Sequence, residues 1–194
     1  MKKRFTVLLA AVLVTLAAAA GAQGTLPDYT YTGDDPVTGA VAEYTATVLA
    51  EPYMWKEDTV AIPLPMIVQY YWPDPDTVKV TGNFWTLIYE QRDDVLVCTA
   101  GGEAPGILTL RKDGETWKVT DAEIAGDGDD YEKDIKRFCG GDRELEQEMF
   151  EATDLDNDSA KWLRAEYIRD YAEANGLEIK AYQDEYWDPV PLYE

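Results

Sequence analysis

Between Val78 and Ile124 the chain reads VKVTGNFWTLIYEQRDDVLVCTAGGEAPGILTLRKDGETWKVTDAEI, and this stretch leaves little choice of fold. Val78, Val80, Phe84, Trp85, Leu87, Ile88 and Tyr89 run into the polar turn Arg92-Asp93-Asp94. Val95 to Thr99 follows, then the Gly101-Gly102 break, Ile107 to Leu110, the Asp113-Gly114 turn, and Trp117 to Val119. Short runs of β-branched and aromatic residues separated by Gly, Pro and Asp predict an antiparallel meander.

The flanking segments read as cover for that sheet. Asp35 can cap a helix and Pro36 suits its first position. Val37, Val41, Tyr44 and Val48 then recur at helical spacing, with Leu49 widening the stripe. This helix should stop before Pro52 and lie across the concave side of the sheet. Ile62-Pro63-Leu64-Pro65 is extended, but proline cannot donate to a ladder, so it suits a sheet edge. After the sheet come three helical segments. They are Tyr131 to Cys139, one around Leu145, Met149 and Phe150, and Ser159 to Asn175. The last should turn Trp162 or Leu163, Tyr167 or Ile168, and Tyr171 inward. Leu177 to Tyr182 alternates as a final strand, and an aromatic, Pro-containing tail closes the chain. The expected fold class is α+β, with an N-terminal helix packed on a curved antiparallel β-meander and C-terminal helices appended.

Residues 1–22 read as a signal peptide. Lys2, Lys3 and Arg4 precede a short apolar core, and Ala20-Gly21-Ala22 supplies small residues for cleavage. The apolar run is too short for a confident span, and no Cys lies beside the cleavage site to carry a lipid. The expected location is secreted or periplasmic after cleavage, without a stable membrane anchor. Residues 23–33 form an extended leader, and 34–194 a single α+β domain.

Charge and composition exclude several functions. The formal net charge is −21, and cleavage would deepen it by three. Such a surface repels phosphate backbones and anionic lipid, so nucleic acid is excluded as a partner. There is no histidine, which removes Ser-His and Cys-His nucleophile pairs and the commonest zinc ligand. Carboxylate-only chemistry, as in glycoside cleavage, survives that test. Asp154-Leu155-Asp156-Asn157-Asp158 begins like a calcium loop, but Ser159 stands where Gly belongs and Ala165 where Glu belongs. Capping of the next helix explains those residues better, as it does for Gly126-Asp127-Gly128-Asp129-Asp130. No metal or cofactor is expected. Gly101-Gly102 and Pro105-Gly106 imply a bulge or a hairpin turn. Cys98 and Cys139 either form one disulfide or remain two separate thiols.

The aromatics are the suggestive feature. If Tyr70, Trp85 and Tyr89 face the same side as Tyr44, they line a cavity between helix and sheet, with Tyr182, Tyr186 and Trp187 closing its mouth. Ordinary core and tail packing is the competing explanation.

A single apolar helix followed by a long curved meander resembles the cystatin-like roll of the nuclear-transport-factor-like superfamily. Gly82-Asn83-Phe84-Trp85 through Trp117-Lys118-Val119-Thr120, with Ala181-Tyr182-Gln183-Asp184 and Trp187-Asp188-Pro189, also resemble uncharacterised exported proteins of gut bacteria. The superfamily resemblance implies use of the cone between helix and sheet, by enzymes or by non-catalytic binders. Superfamily enzymes commonly place a His or Asp there, and this chain has no His. The expected function is therefore an exported non-catalytic binding domain for a small molecule or an envelope or extracellular protein. The alternatives are a carboxylate-dependent hydrolase acting on an extracellular substrate such as a glycan, and a scaffold without a pocket.

Overall fold

The computed structural model describes residues 25–193; the expected signal peptide lies outside the described residues. Residues 25–32 have no regular structure, but they are docked rather than loose. Leu26 and Tyr29 pack on the core, and the Tyr171 hydroxyl donates to the Pro27 carbonyl at 2.8 Å.

Helix α1 spans Pro36–Tyr44 and is capped as its sequence dictates, with the Asp35 carboxylate accepting from the Val37 and Thr38 N–H groups. It continues as a π turn, Thr45–Leu49, and a short 3-10 turn, Glu51–Tyr53. The wider turn rotates the buried stripe. Val37, Val41 and Thr45 are buried, whereas Val48, expected inward, is exposed. The Thr45 carbonyl accepts from the Thr86 hydroxyl at 3.3 Å, tying this turn to the sheet.

The sheet is built on β2 (Thr77–Arg92). Its partner on one side is β1 (Thr59–Asp74), paired along almost its whole length and interrupted by a bulge at Val68. On its other side run β3 (Val95–Gly102) and β4 (Pro105–Asp113), both antiparallel to β2. The glycine- and proline-containing stretch between β3 and β4 is neither a hairpin nor a bulge: the register against β2 continues unchanged from Gly102 opposite Thr86 to Pro105 opposite Asn83, and the bulge falls earlier, at Thr99, between the Ile88 and Tyr89 pairs. Asn83 holds this stretch, its side-chain oxygen accepting from the Ala104 N–H at 3.1 Å and its amide donating to Glu103 at 2.9 Å. Strand β5 (Thr116–Ile124) pairs with β4, and β6 (Ala181–Asp184) pairs parallel to β3. A short β7 (Val190–Pro191) completes this side. Strand β1 pairs with β2 alone, so the proline-bearing strand is an edge, as expected.

Alternation along β2 separates two cores. Val78, Val80 and Phe84 meet Val37 and Val41 of α1 together with Leu108 and Leu110. Leu87 and Tyr89 face the opposite layer with Val60, Ile62 and Leu64. That layer is helical: α2 (Tyr131–Phe138), α3 (Arg143–Glu151) and α4 (Asp158–Ala174). Helix α4 supplies Ile168, Tyr171 and Ala172 to this core, while α2 and α3 close a satellite cluster of Ile135, Cys139, Leu145 and Met149. The fold is α+β, one helix on the first face of a curved, mostly antiparallel sheet and three on the second.

The acidic segments differ in their roles. Asn157 caps α4, accepting from the Ala160 N–H at 2.7 Å, while Asp154 accepts from the Asp156 N–H at 2.8 Å. Asp130 makes no side-chain cap on α2; a 3-10 turn, Gly128–Asp130, leads into that helix instead. Cys98 and Cys139 are both free thiols, in different clusters, so the disulfide alternative does not hold in this structure.

Candidate functional site

The six aromatics expected around one cavity are not brought together. Tyr44 packs with the α1 core, on the face of β2 that carries Phe84. Trp85 and Tyr89 lie an odd number of positions from Phe84, so the pleat turns them to the opposite face, toward α3 and α4. The Trp85 indole donates to the Ala152 carbonyl at 3.0 Å, and the Asn83 amide to the same oxygen at 3.1 Å. Trp85 thus holds the end of α3 in place. The condition for a helix–sheet cavity, all three tyrosines and the tryptophan on one side, is not met.

Tyr89 and Tyr182 meet around a residue that the sequence reading passed over. Arg164 is 4 % exposed, its Nε donating to the Tyr89 hydroxyl at 2.6 Å and its two terminal nitrogens to the Asp184 carboxylate at 2.6 and 3.1 Å. The Tyr182 ring lies 4.6 Å from the guanidinium carbon. Burial raises the Tyr89 hydroxyl well above the ordinary phenol range, against the pull of Arg164. Burial also pushes the neighbouring Cys98 thiol up to about 11. Neither is a nucleophile near neutral pH. A buried charge whose three nitrogens are each hydrogen-bonded, over a tyrosine face, is a clamp between α4 and β6 rather than a reactive centre. The signal was legible: Ala160, Arg164, Ile168 and Tyr171 form the buried stripe of α4, so arginine occupies an inward position. Of the two residues expected at the first inward position of α4, Leu163 packs against the core and Trp162 is exposed, while Ile168 and Tyr171 are inward.

Trp187, with Tyr186, stands in solvent at the turn between β6 and β7, 77 % exposed. Tyr70 lines an open groove. This groove, of about 720 Å³, lies where the edge of β1 emerges between α1 and the α3–α4 connection. Pro65, Met66, Ile67 and Val68 form its floor, Tyr70, Leu163 and Tyr167 its aromatic and aliphatic walls. Glu148, Glu151, Asp154 and Asp158 stand around it, and no lysine or arginine lines it. A smaller hollow, sharing Asp158, Ser159 and Leu163, extends it to Trp162. Among the described residues, none of the four carboxylates is ion-paired with a lysine or arginine.

The tyrosines of the groove belong to a wider belt. Thr38 and Tyr70 are joined by a 3.1 Å hydrogen bond between hydroxyls, and Tyr29 of the leader stacks on Tyr167 with ring centres 6.3 Å apart. Burial raises the Tyr29 and Tyr167 hydroxyls, so these rings are neutral at physiological pH. The groove is therefore polarised between neutral aromatic walls and acidic groups. Sequence reasoning missed it because its residues come from α1, β1, and the stretch from α3 through its connection to α4, with no local spacing joining the three.

The carboxylates displaced in acidity among the described residues are Glu90, Asp94, Asp113, Glu132 and Asp134, and all five are held low. Lysine hydrogen bonds lead for the first four, and the Gly126 N–H leads for Asp134. Glycoside cleavage needs the reverse, a carboxyl kept protonated near neutral pH by burial. Among the described residues no group of three or more Cys, Asp or Glu side chains is placed to hold a metal ion. No family model, curated protein or solved structure matches the chain.

Proposed function

We propose that the protein is an exported, non-catalytic binding domain whose ligand seats in the groove along the edge of β1. The observation that carries this reading is the groove itself: an open, aromatic-walled site of about 720 Å³, large enough for a small molecule or a short segment of another protein. Its polar groups are suited to recognition. The carboxylates around it accept hydrogen bonds and attract cations, and the displaced carboxylates elsewhere are shifted away from general-acid behaviour. The buried nucleophile candidates, Tyr89 and Cys98, are held in their neutral forms.

The test is a thermal melt of the purified protein against calcium, sugars, cell-wall fragments, bile acids, fatty acids and short peptides. A ligand at about a hundred times its dissociation constant adds roughly 2.7 kcal/mol, and so several degrees at this chain length. Tyr70→Ala and Tyr167→Ala, made at the groove wall, are expected to remove the shift. A shift that survives both variants places the ligand elsewhere, and release of new reducing ends from a glycan replaces this reading with the hydrolase alternative.

A further inference from the structure

Resting on the binding reading above, the groove's chemistry names its ligand class. Strand β1 pairs with β2 only, so its outer edge has no strand partner among the described residues. The direction of its backbone follows from its register. Pro65 lies opposite Phe84, whose N–H is turned the other way, to the Ala104 carbonyl at 3.3 Å. Pro65 and the residues two positions to either side, Pro63 and Ile67, therefore turn their backbone groups away from β2 and out from the sheet.

At Pro63 and Pro65 that outward edge has no donor and both residues are buried, so it is closed to pairing there. At Ile67 the donor returns, and Ile67 forms part of the groove floor. The bulge at Val68 follows at once and ends the regular ladder. The groove thus offers the N–H and carbonyl of the half-buried Ile67, a short length of strand edge beside the buried Pro65.

Charge selects what pairs there. Glu148, Glu151, Asp154 and Asp158 stand around the groove without lysine or arginine partners among the described residues, on a chain of net charge −21. Tyr70 and Tyr167 present ring surface to an alkyl stem or a cation. A second copy of this chain would bring the same carboxylates against themselves, so like charge excludes self-pairing at this edge. A compact polyamine meets the carboxylates but leaves the strand edge unused. We propose that the groove is a strand-addition site for an extended basic segment of another protein, its backbone pairing with Ile67 and its lysine or arginine side chains reaching the groove's carboxylates.

Four probes separate these elements: an acetylated, amidated octapeptide alternating lysine and valine; its glutamate–valine counterpart; the lysine peptide with alternate amides N-methylated; and spermine. Titration is followed by calorimetry, and the site by hydrogen exchange across β1. The lysine peptide is expected to bind and to slow exchange at Ile67, and the glutamate peptide to bind at least about tenfold more weakly. The N-methylated peptide keeps the charge but cannot pair, and should lose the protection at Ile67. The combined Glu148→Gln, Glu151→Gln and Asp154→Asn variant should weaken the lysine peptide by about tenfold or more, since each change keeps shape and removes charge. Ile67→Pro removes that donor and should abolish binding, whereas Ile67→Ala, which loses the same side chain from the α1 core but keeps the N–H, should still bind.

Equal binding of spermine or of the N-methylated peptide overturns strand addition and leaves a cation-binding groove, so the broader reading stands. Undiminished affinity in the charge variant overturns the role of the carboxylates and with it the proposal. No binding of the lysine peptide overturns the proposal outright, and the ligand panel then decides independently whether the groove binds anything else.

Discussion

Arg164 shows how much one residue can decide in this fold. It sits on the inward stripe of α4, and its three hydrogen-bonding nitrogens join α4 to β2 through Tyr89 and to β6 through Asp184. Desolvation alone would lower its pKa, but Tyr89 and Asp184 outweigh it, so the guanidinium stays charged. The cost of losing a partner is therefore unequal. Asp184→Ala leaves a buried charge without its counter-ion and should destabilise the protein by about 2–3 kcal/mol, the exposure of Asp184 moderating a larger penalty. Replacing the charge and its phenol together, Arg164→Met with Tyr89→Phe, should cost less than the sum of the single changes. Chemical denaturation measures all four, and additive losses would show that the cluster does not act as a unit. At this scale the sequence was readable where the effect is local. Asp35-Pro36 announced its cap, because a cap needs only the next three residues. The inward position of Arg164 follows from the α4 spacing, but its partners Tyr89 and Asp184 do not, because they lie 75 residues before it and 20 after it.

At the scale of elements, the sheet turns on one row of residues running Ile67, Gly82, Gly106 and Ile124 across β1, β2, β4 and β5. The two glycines are there because the strands come too close for side chains. A Cβ on Gly82 would lie 2.4 Å from the Met66 carbonyl oxygen, and one on Gly106 would lie 2.2 Å from that of Glu123. Both obstacles are backbone, so neither can swing aside. Gly82→Ala should therefore destabilise the protein by about 2 kcal/mol or more, read as a lower denaturant midpoint with the slope unchanged. A neutral alanine would mean that the strands can separate at this row without cost. The strands and helices themselves were visible as periods of two and of three to four in the sequence. Their register was not, and register is what placed Tyr44 apart from Trp85 and Tyr89. The π turn after α1 was equally invisible, and it turned Val48 outward.

For the whole molecule, charge sets the dependence on pH. The sequence holds 38 acidic against 17 basic residues, so each lysine or arginine contact is scarce and distributed. Glu90 illustrates the sign. Hydrogen bonds from Lys56, and then from Arg92, hold its carboxyl below the ordinary value of 4.5 despite partial desolvation. The folded protein therefore favours the ionised form. The stabilisation is complete above the ordinary value and is lost as pH falls through the lowered one. Glu90→Gln should be less stable than the native protein at neutral pH by roughly 0.5–1 kcal/mol, and the two should converge as acid protonates the native carboxylate. Melting temperature against pH for both proteins measures this. A constant gap across the acid range would assign the loss to packing rather than to charge.

Local interactions made much of this architecture legible. Side-chain alternation, helical spacing, caps and breakers act over a few residues, and they were enough to identify an α+β fold with a proline-marked edge strand, one helix before the sheet and three after it. The tertiary structure alone decided the rest. It set which face each aromatic occupies, made one bent strand of β3 and β4, and placed a charged arginine in the core. It also drew the groove from three separated segments, around Thr38, along β1 and from α3 through to α4. Those features depend on register and on contacts between distant residues, where a one-residue shift reverses a face, and no spacing within a single segment encodes them.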